Sequence, residues 1–140
     1  MIDIAHLTGD RYVVRVRGHE LVTDQPAHDG GDDVGPTPTE LFVAGLAACV
    51  AFYAGRFLRR HVDPSVPFSV ACAYEMSVDR PARVTSVRLT VDLPTPLADD
   101  VRDGLLRAAE HCTVHNTLRV PPDVNISVRD AVPSAAAARG

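Results

Sequence analysis

The chain has no lysine: all fourteen basic residues are arginine, and no basic stripe gathers them. With a formal net charge of −4, this argues against a nucleic-acid partner, which needs clustered cations facing phosphates. The missing lysine itself reads as a composition bias. Cysteine is scarce too. Three cysteines, Cys49, Cys72 and Cys112, stand far apart and in odd number, which excludes a secreted disulfide framework and suits a reducing compartment. The opening MIDIAHLTGDRY has neither a positively charged start nor an apolar stretch behind it. The longest apolar run, 41–54, is broken by Gly45 and falls short of a membrane span. The expectation is a cytoplasmic protein without a membrane partner. No internal repeat is visible. A second C-x-x-C or H-x-x-x-H is also missing, so His111, Cys112 and His115 would need a distant ligand to hold a metal, and none is assigned.

At 46% hydrophobic and 23% charged residues over 140 positions, the chain suits one globular domain, placed at 1–130, with a disordered, alanine-rich tail at 131–140. RYVVRVRGHELVTD alternates apolar and polar residues around Gly18-His19 and predicts a hairpin. The Gly-, Asp- and Pro-rich stretch 25–36 predicts a loop, one expected to order on assembly. TPTE then starts a helix, with Thr37 as N-cap, Pro38 in the first helical position and Glu40 completing a capping box. From Leu41 to Ala54 that helix is apolar on every side, and Arg56, Arg59, Arg60 and His61 return charge at its C-terminal end.

FSVACAYEMSV and RVTSVRLTVDL read as two strands joined through DRPA, with Cys72 alternating inward as a small buried residue. A second helix is expected from Thr95 as cap and Pro96 in its first position, with a stripe of Leu97, Val101, Leu105, Ala108 and Cys112 facing the core and His111 and His115 sharing one face. PPDVNISV reads as a last strand. The order predicts an α+β domain with an antiparallel sheet packed on two helices. One chain has too little surface to cover an all-apolar helix, so a homodimer is expected.

GGDDVGPTPTELFVAGLAACVAFYA together with EHCTVHNTL some sixty residues later resembles the OsmC/Ohr family of peroxide-reducing thiol proteins, over about residues 10–128. The resemblance implies antiparallel sheets wrapped around two central helices in an intertwined homodimer. It also implies a Cys49–Cys112 pair that reduces organic hydroperoxides without a cofactor, with an external dithiol as reductant. Attack requires a thiolate, and an apolar helix disfavours one, so a cation must reach Cys49. The family takes an arginine from the N-terminal hairpin, where Arg11, Arg15 and Arg17 qualify by position and share a strand face; Arg17 ranks first and Arg11 next. The family's glutamate directly follows the proline, whereas here Thr39 fills that position and Glu40 comes one later. Glu40 is thus both a helix cap and the candidate to orient the arginine, and it precedes Cys49 by nine residues, about 13.5 Å along a helix and half a turn round. Phe42, Phe52, Tyr53 and His115 are the candidate substrate-binding residues. The alternative is a non-catalytic protein of the same fold that binds a small molecule or senses redox state through its thiols.

Overall fold

The computed structural model describes residues 1–130; the tail expected to be disordered lies outside the described residues. Three strands, β1 (Ile2–Thr8), β2 (Arg11–Val16) and β3 (His19–Thr23), form an antiparallel sheet in sequence order. The β2–β3 hairpin closes with Val16 opposite His19, leaving Arg17 and Gly18 as the turn. Arg17 takes the left-handed position there, with φ 58°. It therefore sits in the turn, while Arg11 and Arg15 are on the strand, so the shared strand face expected for all three arginines holds only for two. β1 was not foreseen, although Ile2 and Ile4 alternate with polar neighbours as a strand edge requires.

Asp24, just past β3, is 1% exposed and organises the loop that follows. Its carboxylate accepts hydrogen bonds from the backbone N–H groups of Gln25 (2.8 Å), Asp32 (3.1 Å) and Val34 (3.2 Å), and the Arg11 guanidinium lies 3.6 Å away. The loop folds so tightly on β3 that a Cβ at Gly35 would stand 2.2 Å from the Val22 carbonyl oxygen, and one at Gly31 1.9 Å from that of Gln25. Only glycine fits such an approach. The loop is thus ordered within a single chain, contrary to the expectation of ordering on assembly, because a buried acceptor collects its amides.

α1 (Pro38–His61) begins with the expected capping box: Thr37 Oγ1 accepts from the Glu40 N–H at 3.1 Å, and Glu40 Oε2 accepts from the Thr37 N–H at 2.7 Å. At 24 residues it outlasts the apolar run and is, by length and composition alone, long enough to cross a membrane. Its buried face of Val43, Leu46, Val50, Ala54 and Leu58 packs as a core helix does, against β4 (Ser69–Met76), β5 (Val84–Asp92) and α2 (Asp99–Glu110). β4 and β5 form a separate two-stranded antiparallel sheet. Its register sets Cys72 opposite Leu89, on the side that faces α1. The inward alternation was read correctly, yet Cys72 is exposed, because the described residues leave that part of β4 uncovered.

α2 starts three residues later than expected, with Ala98 as an N-cap that makes no side-chain hydrogen bond. Residues 94–97 stay irregular, and Leu97 packs on the core as an arm ahead of the helix. The helix also stops early, at Glu110. Cys112 has extended backbone (φ −61°, ψ 136°) and serves as the N-cap of α3 (Thr113–Arg119), so it lies at a joint between two helices. The buried stripe is accordingly Leu105, Ala109 and Cys112, and Ala108 is only half-buried. His111 and His115 fall on either side of the joint and share no helix face. The expected last strand is absent: 121–130 has no regular structure, and Val124, Ile126 and Val128 are exposed. Their alternation suits a strand, but no strand edge among the described residues pairs with them.

Candidate active site

Leu46, Val50, Ala109 and the fully buried Cys112 form one core cluster, and Cys49 packs against it from α1. The two thiols therefore meet where α1 faces the α2–α3 joint. Burial first, and then a hydrogen bond to Cys49, pushes the Cys112 thiol above its ordinary pKa, partly offset by the backbone N–H groups of His115 and Val114. Cys112 Sγ in turn accepts from the His115 N–H at 3.3 Å, closing the N-cap of α3. Tyr53, one turn after Cys49, reaches across to Thr113 with its hydroxyl 3.2 Å from Thr113 Oγ1.

Of the expected substrate-binding residues, Phe42 and His115 line an open cavity of about 1090 Å³ between β5, α1 and α2. Leu46, Val50 and Ala109 belong both to this cavity and to the thiol cluster, so an apolar group there lies against the wall of the thiol pair. Phe52 and Tyr53 lie elsewhere. Phe52 is exposed on the outer side of α1, and Tyr53 lines a smaller concavity of about 200 Å³ with Arg56, Phe57, Arg60, His61 and Ala108. The His115 ring is fixed by Nδ1 at 3.0 Å from the Glu110 carbonyl, and the His111 ring by Nδ1 at 2.6 Å from that of Arg107. No group of three His, Cys, Asp or Glu side chains converges on one point among the described residues.

The hairpin arginines are not brought to the thiols within one chain. α1 packs on α2, α3 and the β4–β5 sheet, while β1, β2 and β3 pack principally on one another. Arg11 is held by Asp24 and Asp32, and Arg15 lies between Asp3 and Glu20, its cross-strand neighbours, whose hydrogen bond and charge raise its pKa further. Arg17 pairs with no carboxylate among the described residues. Glu40 stays in the cap and likewise pairs with no arginine. Sequence reasoning missed Asp24; the signal was a lone carboxylate where a strand runs into a glycine-rich loop, the usual setting for side-chain bonds to backbone amides.

The central helix of this α+β chain thus presents one thiol to the neighbourhood of a second at the α2–α3 joint. The chain matches the OsmC-like protein family over residues 30–127 and belongs to that family. Its fold is shared with an osmotic stress induced and detoxification response protein from Psychrobacter arcticus (21% identity, TM-score 0.74, 83% of this chain and 85% of that one). It is shared also with an organic hydroperoxide resistance protein from Legionella pneumophila (22%, 0.63, 85% and 89%) and with the organic hydroperoxide resistance protein OhrB of Bacillus subtilis (19%, 0.60, 85% and 90%). No curated protein matches the sequence.

Proposed function

We propose that the protein is a cytoplasmic, thiol-dependent peroxidase that reduces organic hydroperoxides, working as a homodimer without a cofactor. The observation that carries the reading is the packing of Cys49 against the core cluster that holds the buried Cys112. Cys49, as thiolate, attacks the terminal peroxide oxygen; the O–O bond breaks, the departing alkoxide takes a proton from water to leave as the alcohol, and Cys49 becomes a sulfenic acid. The Cys112 sulfur then attacks the Cys49 sulfur, water leaves, and a disulfide joins them. An external dithiol returns both to thiols. The cation that Cys49 requires comes from the hairpin of the second copy, where Arg17 is the arginine without a carboxylate partner. Two solved neighbours described as organic hydroperoxide resistance proteins support this chemistry by fold.

The test is intact-mass spectrometry after one equivalent of an alkyl hydroperoxide. The parent protein loses two hydrogens to an internal disulfide, Cys49→Ser consumes no peroxide, and Cys112→Ser consumes about one equivalent and gains oxygen on Cys49. Cys72→Ser behaves as the parent. Attack by Cys112 with Cys49 inert refutes the assignment. The retention of Glu40 in the helix cap favours a second reading, a binding or redox-sensing protein that does not turn over; no thiol loss after peroxide decides for it.

A further inference from the structure

The C-terminal half of α1 carries cations for which the peroxidase chemistry has no use. Arg56, Arg59, Arg60 and His61 are all exposed, and none pairs with a carboxylate among the described residues, in a chain whose net charge is negative. Attraction to the helix dipole accounts for charge in the last turn, at Arg59, Arg60 and His61. It does not account for Arg56, more than a turn from the end, whose guanidinium lies over the Phe52 ring at 5.7 Å from its centroid.

Arg56, Arg60 and His61 instead rim the concavity of about 200 Å³ whose floor is Tyr53, Phe57 and Ala108, with no carboxylate in its lining. The His61 ring rests on Phe57, with ring centroids 4.6 Å apart. Helix geometry ties this place to the thiols. Tyr53, Arg56 and Arg60 follow Cys49 by four, seven and eleven residues, so they share its face of α1, and Arg56 stands about 10 Å from it along the axis at ~1.5 Å per residue. Across the groove, Ala108 is one turn ahead of Cys112. Tyr53 belongs to both places, since it packs against the thiol cluster and bonds to Thr113.

We propose that Arg56, Arg60 and His61 form a subsite for an organic carboxylate, whose apolar stem lies over Tyr53 and Phe57 toward the thiol pair. The chemistry is matched at both ends: an apolar floor accepts the stem, and unpaired guanidinium groups take the carboxylate, for which their planar donors are suited. The carboxylate belongs either to the hydroperoxide or to the dithiol that regenerates the enzyme. This inference rests on the proposed peroxidase reading for its role, but the binding itself does not.

Binding is measured first, in the Cys49→Ser protein, which cannot react. Decanoate is expected to bind, methyl decanoate to bind more weakly, and Arg56→Gln/Arg60→Gln to lose about tenfold in decanoate affinity, the loss that two exposed charge pairs support. Arg83→Gln, on the far hairpin, leaves it unchanged. Equal binding of acid and ester, or an unchanged affinity in the double variant, overturns the subsite whether or not the protein is a peroxidase. Two kinetic arms on the Cys49 protein then identify the source. With uncharged dithiothreitol as reductant, a KM increase of about tenfold at constant kcat for a carboxylated hydroperoxide, but not for its methyl ester, assigns the site to the substrate. With cumene hydroperoxide as oxidant, the same split between a carboxylated and an uncharged dithiol assigns it to the reductant. A double variant that turns over every pair as the parent does overturns the link to the thiols. Absence of any turnover in the parent refutes the peroxidase reading alone.

Discussion

Gly45 sits on the outer side of α1, and a Cβ built on it would meet nothing within 4 Å. Ala44, Ala48, Phe42 and Phe52 are exposed around it, so the outer side of this core helix is a strip of apolar surface. Gly45→Leu separates a free face from a covered one. On a free face the change removes a helix-interior glycine, and stability rises by about 0.8 kcal/mol from backbone propensity. On a face shared with a second copy the added side chain is forced into a packed contact at a cost of about 1–3 kcal/mol. A two-fold interface repeats the cost, so the proposed dimer loses about 2–6 kcal/mol, a weakening of roughly thirtyfold or more. Sedimentation velocity over a concentration series measures this directly, with thermal melting alongside. The expected result is a dimer in the parent and concentration-dependent dissociation in the variant. A parent that is monomeric and well folded at micromolar concentration, or a variant with unchanged assembly and a raised Tm, refutes the reasoning.

Four further outcomes are expected. Leu58→Ala, at a site 1% exposed, costs about 2–5 kcal/mol by denaturant unfolding, because the packed core around Ala54 and Leu105 can close the cavity only in part. Arg17→Ala slows alkylation of Cys49 at neutral pH while Arg15→Ala, whose guanidinium is engaged by Asp3 and Glu20, does not; equal rates in all three proteins overturn the assignment of the activating cation. Burial raises the Asp24 pKa, but three backbone N–H groups and Arg11 outweigh it, so the carboxyl is held below its usual range. Its contribution is therefore complete above the unfolded pKa of about 3.9 and is lost as the pH falls from there toward the folded value; hydrogen exchange at the Asp32 and Val34 amides accelerates over that window, and Asp24→Asn removes the pH dependence. Cys112→Ala removes the N-cap acceptor of α3 and weakens that helix by about 0.5–2 kcal/mol, whereas Cys112→Ser retains it, as read from exchange at the His115 amide.

What could be read from the sequence was what neighbouring residues settle among themselves. The start of α1 is a contract between Thr37, Pro38 and Glu40, and the β2–β3 hairpin is set by alternation on either side of a two-residue turn. Strands whose partners are distant or absent were harder. β1 alternates as clearly as β2, and 124–128 as clearly as β1, but among the described residues β1 has an edge to pair with and 124–128 has none, a fact of tertiary structure that no local pattern contains. The joint at Cys112 was hidden for another reason. Leu105, Ala109 and Cys112 keep helical spacing and are all buried, so the apolar stripe runs on although the helix that carries it has ended. The cysteines of the candidate site were found by family resemblance, since a buried cysteine at helical spacing is equally well a small hydrophobe.

That joint gives the two thiols unequal mechanical settings. Cys49 lies in the middle of a 24-residue helix, where hydrogen bonds on both sides fix its backbone, and it is only half-buried. Cys112 is fully buried, yet its backbone is extended and joins two helices, the second of which is seven residues long and buries none of them. A nucleophile is served by a fixed position beside its activating cation, and a resolving thiol by a backbone that yields when a sulfur must approach another. The same geometry bears on where that cation originates. Each of the four arginine and histidine side chains near the C-terminal end of α1 lies seven or more residues beyond Cys49, and the hairpin arginines belong to a sheet that packs principally on itself. In the proposed dimer one arrangement meets both needs: the hairpin of one copy covers the apolar strip of the other's α1 and brings Arg17 toward Cys49. The apolar surface that calls for a second copy and the thiolate that calls for a cation are then two aspects of one interface.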